Sequence, residues 1–281
     1  MNDAIRVRGL QKAYGAATAV AGIDLDVQEG EVFALLGPNG AGKTTTVEIL
    51  EGYRTRDGGE VSVLGVDPAS SDRRWRSRLG IVLQSSDDFA ELTVEETVRH
   101  FAHYYPAPRN PDGVIEATGL AEKRKARTRA LSGGQRRRLD VALGIIGDPD
   151  LLFLDEPTTG FDPEARRQFW ELIAQLADEG TTILLTTHYL DEAEHLADRV
   201  GVIARGEILE VATPQTLGGR ASSSVTVRWV EPVEGEKHLE TGAPTRTVGE
   251  LSARYGGEVP GLTVTRPTLE DTYLRLIGER A

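Results

Sequence analysis

The fold is decided by one stretch of the sequence, Gly37-Pro38-Asn39-Gly40-Ala41-Gly42-Lys43-Thr44, and by its two flanks. The segment before it, Val32 to Leu36, is continuously apolar and predicts a strand that is buried on both faces. The segment after it, Thr45 to Leu50, predicts a helix. A glycine-rich turn that leads from a buried strand into a helix is typical of an α/β protein with a parallel sheet.

The same stretch has the spacing G-x-x-x-x-G-K-[ST] of a phosphate-binding P-loop. Its glycines let successive backbone N–H groups converge on phosphate oxygens, and the helix that follows directs its positive N-terminus there. Lys43 can reach the β- and γ-phosphates, and the Thr44 hydroxyl is a ligand for Mg²⁺. A glycine-rich hairpin without a ligand is the alternative. The predicted nucleotide contacts here are Gly37, Pro38, Asn39, Gly40, Ala41, Gly42, Lys43, Thr44 and Thr45.

A second site element is the apolar segment Leu151 to Leu154, which ends in Asp155 and Glu156. A buried strand that ends in aspartate is the second half of a P-loop site, where the carboxylate holds Mg²⁺. Glu156 is then in position to orient and polarise the attacking water. Such a strand end is common on its own, but together with the P-loop it predicts a nucleoside triphosphatase.

A third element is Leu131-Ser132-Gly133-Gly134-Gln135, which precedes a helical stretch. Ser132, the amides of Gly133 and Gly134 and the helix N-terminus form a second cradle for a phosphate. Two cradles in one chain make sense if the second closes over a nucleotide that another copy holds. A plain helix cap, with Ser132 as the N-cap residue, is the alternative.

These motifs and their order resemble the ATP-binding cassette (ABC) family, in which Leu-Ser-Gly-Gly-Gln is the signature pentapeptide, and the resemblance covers nearly the whole chain. It implies an α/β fold: a P-loop NTPase nucleotide-binding domain with a RecA-like core, an antiparallel β-subdomain and a helical subdomain, followed by a small C-terminal α+β extension. It also implies ATP and Mg²⁺ as ligands. ATP would lie between the P-loop of one subunit and the Ser132 to Gln135 segment of the other.

The resemblance assigns further residues by their order along the chain. Tyr14 lies where the family has an aromatic ring that stacks on adenine, although a hairpin tyrosine is the alternative. Gln84 matches the Q-loop, which touches Mg²⁺ and the water and senses the membrane partner. Thr182 to Thr186 predicts a further buried strand, and His188 at its end matches the histidine that contacts the γ-phosphate. A surface histidine is the alternative for His188.

Asp162 closes the segment Thr159-Gly160-Phe161-Asp162, which matches the D-loop of the dimer interface. The commoner form of this segment is Ser-Ala-Leu-Asp. The difference leaves the hydrogen bonding of the segment undetermined, but its position along the chain still matches the D-loop. The resemblance thus implies two catalytic residues, Glu156 and His188. It implies three metal-site residues, which are Thr44, Gln84 and Asp155.

Within the superfamily, Ser132 to Trp170 and Pro267 to Gly278 resemble the ATPase subunits of bacterial drug-resistance exporters of the daunorubicin type. The resemblance implies an ATP-hydrolysing subunit that powers a separate membrane permease, through ATP-driven closure and opening of a dimer. Its expected partners are a second copy of the chain and integral-membrane permease subunits. The expected location is the cytoplasmic face of the cell membrane, where the permease holds the ATPase as a peripheral subunit.

Composition excludes several other classes of protein. The 281 residues carry a net charge of −12, which argues against a nucleic-acid partner. There is no cysteine, so disulfides, iron–sulfur clusters and thiolate zinc sites are excluded. No apolar stretch approaches the ~20 residues of a membrane helix, and the N-terminal segment predicts no secretory signal.

Two rival functions fit the P-loop. One is an ABC ATPase of translation or DNA repair, but such proteins usually have two cassettes, coiled-coil insertions or zinc insertions, none of which this sequence has. The other is a regulatory module that holds nucleotide without turnover, and the presence of Glu156 and His188 argues against it.

The composition changes after Thr216, and we expect a domain boundary near residue 217. The nucleotide-binding domain would span residues 1–217, with its helical subdomain at about 88–146, and the C-terminal extension would span 218–281. We also expect Phe89 and some of Phe101, Tyr104 and Tyr105 to shape the cleft that receives a helix of the permease. Packing inside the helical subdomain is the alternative for these rings.

Overall fold

The computed structural model describes residues 2–82 and 90–278 of the chain. The described chain divides into two compact units between Val211 and Ala212. Gln84 and Phe89 lie outside the described residues.

The first unit contains a three-stranded antiparallel sheet in the order β2-β1-β4. Its strands are β1 (Asp3–Tyr14), β2 (Ala17–Gln28) and β4 (Gly58–Val63). The alternation of Ile5, Val7 and Leu10, and of Ile23, Leu25 and Val27, with polar residues predicts two antiparallel strands. The register, with Val7 opposite Leu25, confirms this. The third strand, β4, was not predicted, because two of its six residues are glycine and only two are apolar.

A six-stranded sheet lies beside it in the order β5-β6-β7-β3-β8-β9. Its strands are β3 (Val32–Leu36), β5 (Leu79–Val82), β6 (Leu151–Asp155), β7 (Thr182–Thr186), β8 (Arg199–Ala204) and β9 (Glu207–Ala212). Strands β5, β6, β7, β3 and β8 are paired in parallel. All five residues of β3 and of β7 are buried, as continuous apolar runs predict.

Seven helices are described in the first unit: α1 (Lys43–Leu50), α2 (Arg73–Arg76), α3 (Val94–Ala102), α4 (Pro111–Ala117), α5 (Gly133–Ile145), α6 (Pro163–Asp178) and α7 (Leu190–Leu196). Helices α3, α4 and α5 pack on one another and form a helical subdomain. One apolar core contains residues of both sheets, and the buried Trp75 is part of it. The indole N–H of Trp75 donates to the Val63 carbonyl oxygen at 2.8 Å.

The second unit has a three-stranded antiparallel sheet in the order β11-β10-β12 and two helices. Its elements are β10 (Val225–Glu231), β11 (Gly235–Thr241), α8 (Pro244–Tyr255), β12 (Thr263–Thr265) and α9 (Leu269–Gly278). Its core is small, with Val227, Leu251 and Val259 at the centre. In the sequence, Val225 to Val230 and Leu262 to Thr265 predict strands and Leu269 to Ile277 predicts a helix, and these match β10, β12 and α9. Neither β11 nor α8 was predicted.

Candidate functional site

The site lies at the carboxyl ends of three neighbouring parallel strands, β6, β7 and β3. The loops that leave these strands carry the P-loop, the Asp155-Glu156 pair and His188. Ligands of open parallel sheets bind at this edge, because the loops of adjacent strands converge there. A cavity of about 440 Å³ opens at this edge, and its lining includes residues 38–45, Asp155 and Glu156.

The P-loop follows its backbone path only because of its glycines. A Cβ on Gly37 would lie 2.3 Å from the Ile203 carbonyl oxygen, and one on Gly42 would lie 2.4 Å from the Ala19 carbonyl oxygen. Gly42 also has φ +106°, in the left-handed region that side chains disfavour. Helix α1 starts directly afterwards, so the N–H groups of its first turn have no partner inside the helix and are directed at the loop.

Lys43 is the buried cation of this loop. It is only 8% exposed, and its ammonium donates to the carbonyl oxygens of Gly37 at 2.6 Å and Pro38 at 3.2 Å. Burial lowers its pKa, while the negative charges of Glu156 and Asp155 act in the opposite direction. A buried ammonium held by carbonyls at the mouth of a cavity fits a phosphate, whose charge would compensate it better.

Asp155 is the last residue of β6, and the neighbouring strand fixes its carboxylate. Thr186 of β7 pairs with it in the sheet and donates its hydroxyl to Asp155 Oδ1. Among residues 2–82 and 90–278, no group of three or more His, Asp and Glu side chains could hold a metal ion. One carboxylate with the Thr44 hydroxyl still fits Mg²⁺, which takes few protein ligands where substrate phosphates complete its shell.

Glu156 has an unusual backbone. Its φ of +45° is in the left-handed region, and its N–H donates to the Thr186 carbonyl oxygen at 3.0 Å. Its Oε1 lies 3.2 Å from His188 Nδ1. The carboxylate is largely covered while the imidazole is about half exposed. The structure therefore brings the two predicted catalytic side chains together beside the P-loop cavity.

The Ser132 to Gln135 segment is the N-terminal cap of α5. The Gln135 N–H donates to Ser132 Oγ at 3.3 Å, and the Ser132 N–H donates to Gln135 Oε1 at 3.1 Å, a capping box. Within the described residues, and apart from its neighbours along the chain and the backbone of α5, no atom lies within 4 Å of the Cβ that Gly133 lacks. Under the same conditions, Phe161 alone comes that close at Gly134, at 3.8 Å. The segment does not line the P-loop cavity of its own chain.

Asp162 caps α6, because its carboxylate accepts from the Ala165 N–H at 2.8 Å. The preceding Phe161 is buried and packs edge-on against Phe169, with ring centroids 5.9 Å apart. The phenylalanine thus fills an apolar position of the D-loop. Phenylalanine replaces the commoner leucine at this position and is buried as an apolar residue.

Tyr14 ends β1 and is 43% exposed. Its ring lies 5.3 Å from the Arg54 guanidinium and 5.8 Å from the Lys12 ammonium, so it is an accessible ring between two cations. It does not line the P-loop cavity. Gln84, the remaining predicted site residue, falls outside the described part of the chain.

Two charged groups beside the site were not predicted, the buried Arg137 and the half-buried Glu51. Arg137 of α5 donates to the Asp155 and Pro157 carbonyl oxygens, and Glu51 at the end of α1 has a pKa of about 8. Burial is the main cause of that raised pKa, and the charges of Asp155 and Glu48 add to it. A charged residue in a helix gives no sequence signal of burial, so neither could be found from the pattern.

Comparison with known proteins identifies the family. The profile of the ABC transporter family matches residues 20–159. The daunorubicin/doxorubicin resistance ATP-binding protein DrrA of Streptomyces peucetius is 42% identical over 79% of this chain and 69% of its own length. The Nod factor export ATP-binding protein I of Burkholderia orbicola is 38% identical over 98% of this chain and 97% of its own. The chain belongs to the ABC transporter ATP-binding proteins.

The fold agrees with this assignment. A solved ATP-binding subunit of an ABC transporter superposes with a TM-score of 0.73 at 22% identity, and the match covers 97% of this chain and 99% of that one. The predicted P-loop ABC-type fold is therefore confirmed.

This ABC protein is an ATPase that uses ATP and Mg²⁺, as the family predicts. It is an ATP-binding subunit of an ABC transporter, and the rival role in translation or repair is not supported. In the described ranges, no helix is long and apolar enough to cross a membrane.

Proposed function

We propose that this ABC ATPase drives the export of a drug-like or natural-product molecule through a separate membrane permease. The support is its identity of 38–42% to ATP-binding proteins named for daunorubicin/doxorubicin resistance and for Nod factor export. The observation that carries the hydrolytic part is the contact between Glu156 and His188 beside the P-loop cavity.

Each residue has a distinct role in this proposal. The P-loop amides and Lys43 bind the phosphates of ATP, and Thr44 and Asp155 hold Mg²⁺, with Gln84 as the further ligand that the family resemblance implies. When bound, the ion neutralises phosphate charge. Glu156 orients the attacking water and takes up its proton, while His188 holds the Glu156 carboxylate in place and contacts the γ-phosphate.

The second copy of the chain completes the site. Ser132, Gly133, Gly134 and Gln135 would bind the phosphates that the partner's P-loop holds, in a head-to-tail dimer with two ATP molecules between the subunits. Asp162 would lie along this interface, and Tyr14 would stack on adenine. The exposure of the Ser132 cap and its absence from the chain's own cavity favour this arrangement.

The permease would hold the ATPase at the cytoplasmic face of the membrane, since the cassettes of this family work as dimers with permease components. The helical subdomain offers a docking surface around α3. His100, Phe101 and Tyr104 pack edge-to-face there, and Tyr104 is 68% exposed. Tyr105 packs closely against Gly147, so it belongs to the interior more than to the docking surface.

The test is Glu156→Gln. This variant keeps the shape of the side chain but not its charge, so it should bind ATP, lose nearly all turnover and accumulate as an ATP-bound dimer in size-exclusion chromatography. The exposed Glu171→Gln on α6 is the charge-matched control and should behave as wild type. Lys43→Ala should instead fail to bind ATP, because a charge-assisted contact is lost. A monomeric Glu156→Gln protein with wild-type turnover would overturn the assignment.

A further inference from the structure

Arg137 connects the Ser132 cap to the catalytic loop of the same chain. It lies on α5 two residues after Gln135 and is only 6% exposed. Its Nε donates to the Pro157 carbonyl oxygen at 3.0 Å, and its Nη2 donates to the Asp155 carbonyl oxygen. The residue between those two carbonyls is Glu156.

One guanidinium therefore holds the carbonyl of the peptide bond that precedes Glu156 and the carbonyl of Pro157, the residue that follows it. Glu156 needs this support, because its φ of +45° is disfavoured for a residue with a side chain. The Glu156 backbone is also held by its N–H bond to the Thr186 carbonyl oxygen and by the turn bond from the Thr159 N–H at 3.3 Å. The guanidinium presents several N–H donors in one plane and can bond both carbonyls at once. A lysine ammonium lacks this fixed planar arrangement of donors.

The charges around Arg137 explain why a buried cation is stable there. Burial lowers its pKa, whereas the negative charges of Asp140, Asp155, Glu192 and Glu156 raise it. Four carboxylates thus favour the charged form of Arg137, and Glu156 is one of them. The two carbonyls that Arg137 bonds belong to the loop that follows β6, whereas residues 38–45 of the P-loop line the cavity.

We propose that Arg137 is a positioning residue that couples the signature helix to the catalytic glutamate. The coupling rests on the proposed dimer: when the Ser132 cap of α5 closes on the partner's ATP, Arg137 carries the shift of α5 to the Asp155–Pro157 backbone. Glu156 of one site is thereby set by the nucleotide state of the other site. The two ATP sites of the dimer are then linked through each chain.

The experiment compares Arg137→Met and Arg137→Lys with Arg138→Lys in steady-state ATPase assays of the full chain. Arg138 is the neighbour on α5 whose guanidinium donates to Gln168 at 2.7 Å, away from the loop. A loosened Glu156 should lower kcat by about tenfold to a hundredfold in both Arg137 variants, because small misplacements of catalytic groups cost that much. The KM for ATP should stay within about threefold, since the P-loop is untouched. Arg138→Lys should match wild type.

A second measurement separates positioning from folding. In the Glu156→Gln background, Arg137→Lys should still give the ATP-bound dimer. ATP binding and dimer closure do not need the bonds from Arg137 to the Asp155 and Pro157 carbonyls. A wild-type kcat in Arg137→Lys overturns the proposal. So does a loss of kcat that is matched by a fall in Tm in both variants, which would make Arg137 a folding residue only. If the wild-type chain itself neither dimerises nor hydrolyses ATP, the proposed function fails instead.

Discussion

The P-loop and the Ser132 cap, the two phosphate cradles that the sequence predicts, are both rich in glycine, but their glycines have different surroundings. In the P-loop, Gly37 and Gly42 each lie where a Cβ would collide with a backbone carbonyl of the same chain. In the cap, Gly133 has open space around it. The fold of the P-loop therefore requires glycine at positions 37 and 42, whereas the described structure around the cap places no such demand on Gly133.

This difference indicates where each cradle finds its ligand. The P-loop is closed by internal contacts and contains the buried Lys43, so it is formed before any nucleotide arrives. The capping box of the Ser132 cap occupies the N–H groups of Ser132 and Gln135, and Ser132 and Gly133 remain exposed. The exposed cap therefore has room for the phosphates that the partner's P-loop would hold, as the proposed dimer requires. The following predictions test this contrast.

The largest effect is expected for Gly42→Ala. The new Cβ would lie 2.4 Å from the Ala19 carbonyl oxygen on a residue with φ +106°, so the loop must shift. Strain of this kind costs about 1–3 kcal/mol, which lowers Tm by roughly 2–10 °C in a protein of this size. Thermal unfolding with and without ATP measures both the destabilisation and the loss of nucleotide binding.

Gly40→Ala is the matched control, since Gly40 has φ +78° but no atom within 4 Å of its missing Cβ. Gly40→Ala should be destabilised only by the strain of a positive φ, and therefore less than Gly42→Ala. Equal Tm values for the two variants would show that the close approach at Ala19 is unimportant.

A pH-dependent effect of intermediate size is expected at the far end of the P-loop helix. Burial, together with Asp155 and Glu48, raises the pKa of Glu51 from 4.5 to about 8. The folded chain therefore binds a proton that the unfolded chain releases, so this group's contribution to stability is complete below pH 4.5. It is lost as the pH rises through about 8. Glu51→Gln should raise Tm at pH 9 relative to wild type and change it little at pH 5.

The control for this variant is Glu29→Gln, at an exposed position. Its Tm difference from wild type should be the same at pH 5 and pH 9. If the Tm difference between Glu51→Gln and wild type were also the same at both pH values, Glu51 would have no part in the pH dependence of stability.

The smallest effect on stability, and the one of opposite sign, is expected for Gly133→Ala. Alanine stabilises a helix relative to glycine by about 0.5–1 kcal/mol, and here nothing opposes the added methyl group. Tm should rise slightly, yet ATPase activity should fall because the methyl group obstructs the partner's nucleotide.

Gly113→Ala on α4 has equally open space and should give the same gain in Tm with wild-type activity. If Gly133→Ala also kept full activity, nothing would approach the cap closely, and the contrast between the two cradles would have no functional meaning.

The sequence predicted the parallel core well because burial on both faces leaves an unambiguous pattern. Val32 to Leu36 and Thr182 to Thr186 were predicted as strands, and both match β3 and β7. Strand β11 and helix α8 were missed because their patterns are weak. No residue of β11 is fully buried, and α8 buries only Thr247 and Leu251. The boundary near residue 217 stays a prediction.

The candidate site divides in the same way. The P-loop, the Asp155-Glu156 pair and the Ser132 cap are contiguous motifs, so their chemistry can be inferred from spacing. Arg137 could not be inferred, because it is one of three successive arginines and its partners are main-chain carbonyls 18 and 20 residues away. Which arginine points inward depends on how α5 packs. Residue types alone do not determine that.

The sheet order has a consequence for how such a chain can change during evolution. Thr186 is opposite both Asp155 and Leu35, so the ladder bonds of three strands set the spacing between the catalytic loops. Insertions within the loops are then tolerable, because the ladder still delivers their ends to the same places. Deletion of one residue from β7 is not, since it would turn the Thr186 hydroxyl away from Asp155 to the opposite face of the sheet. Divergence among such enzymes should therefore accumulate as length changes in loops, while the central strands vary in sequence but keep their length.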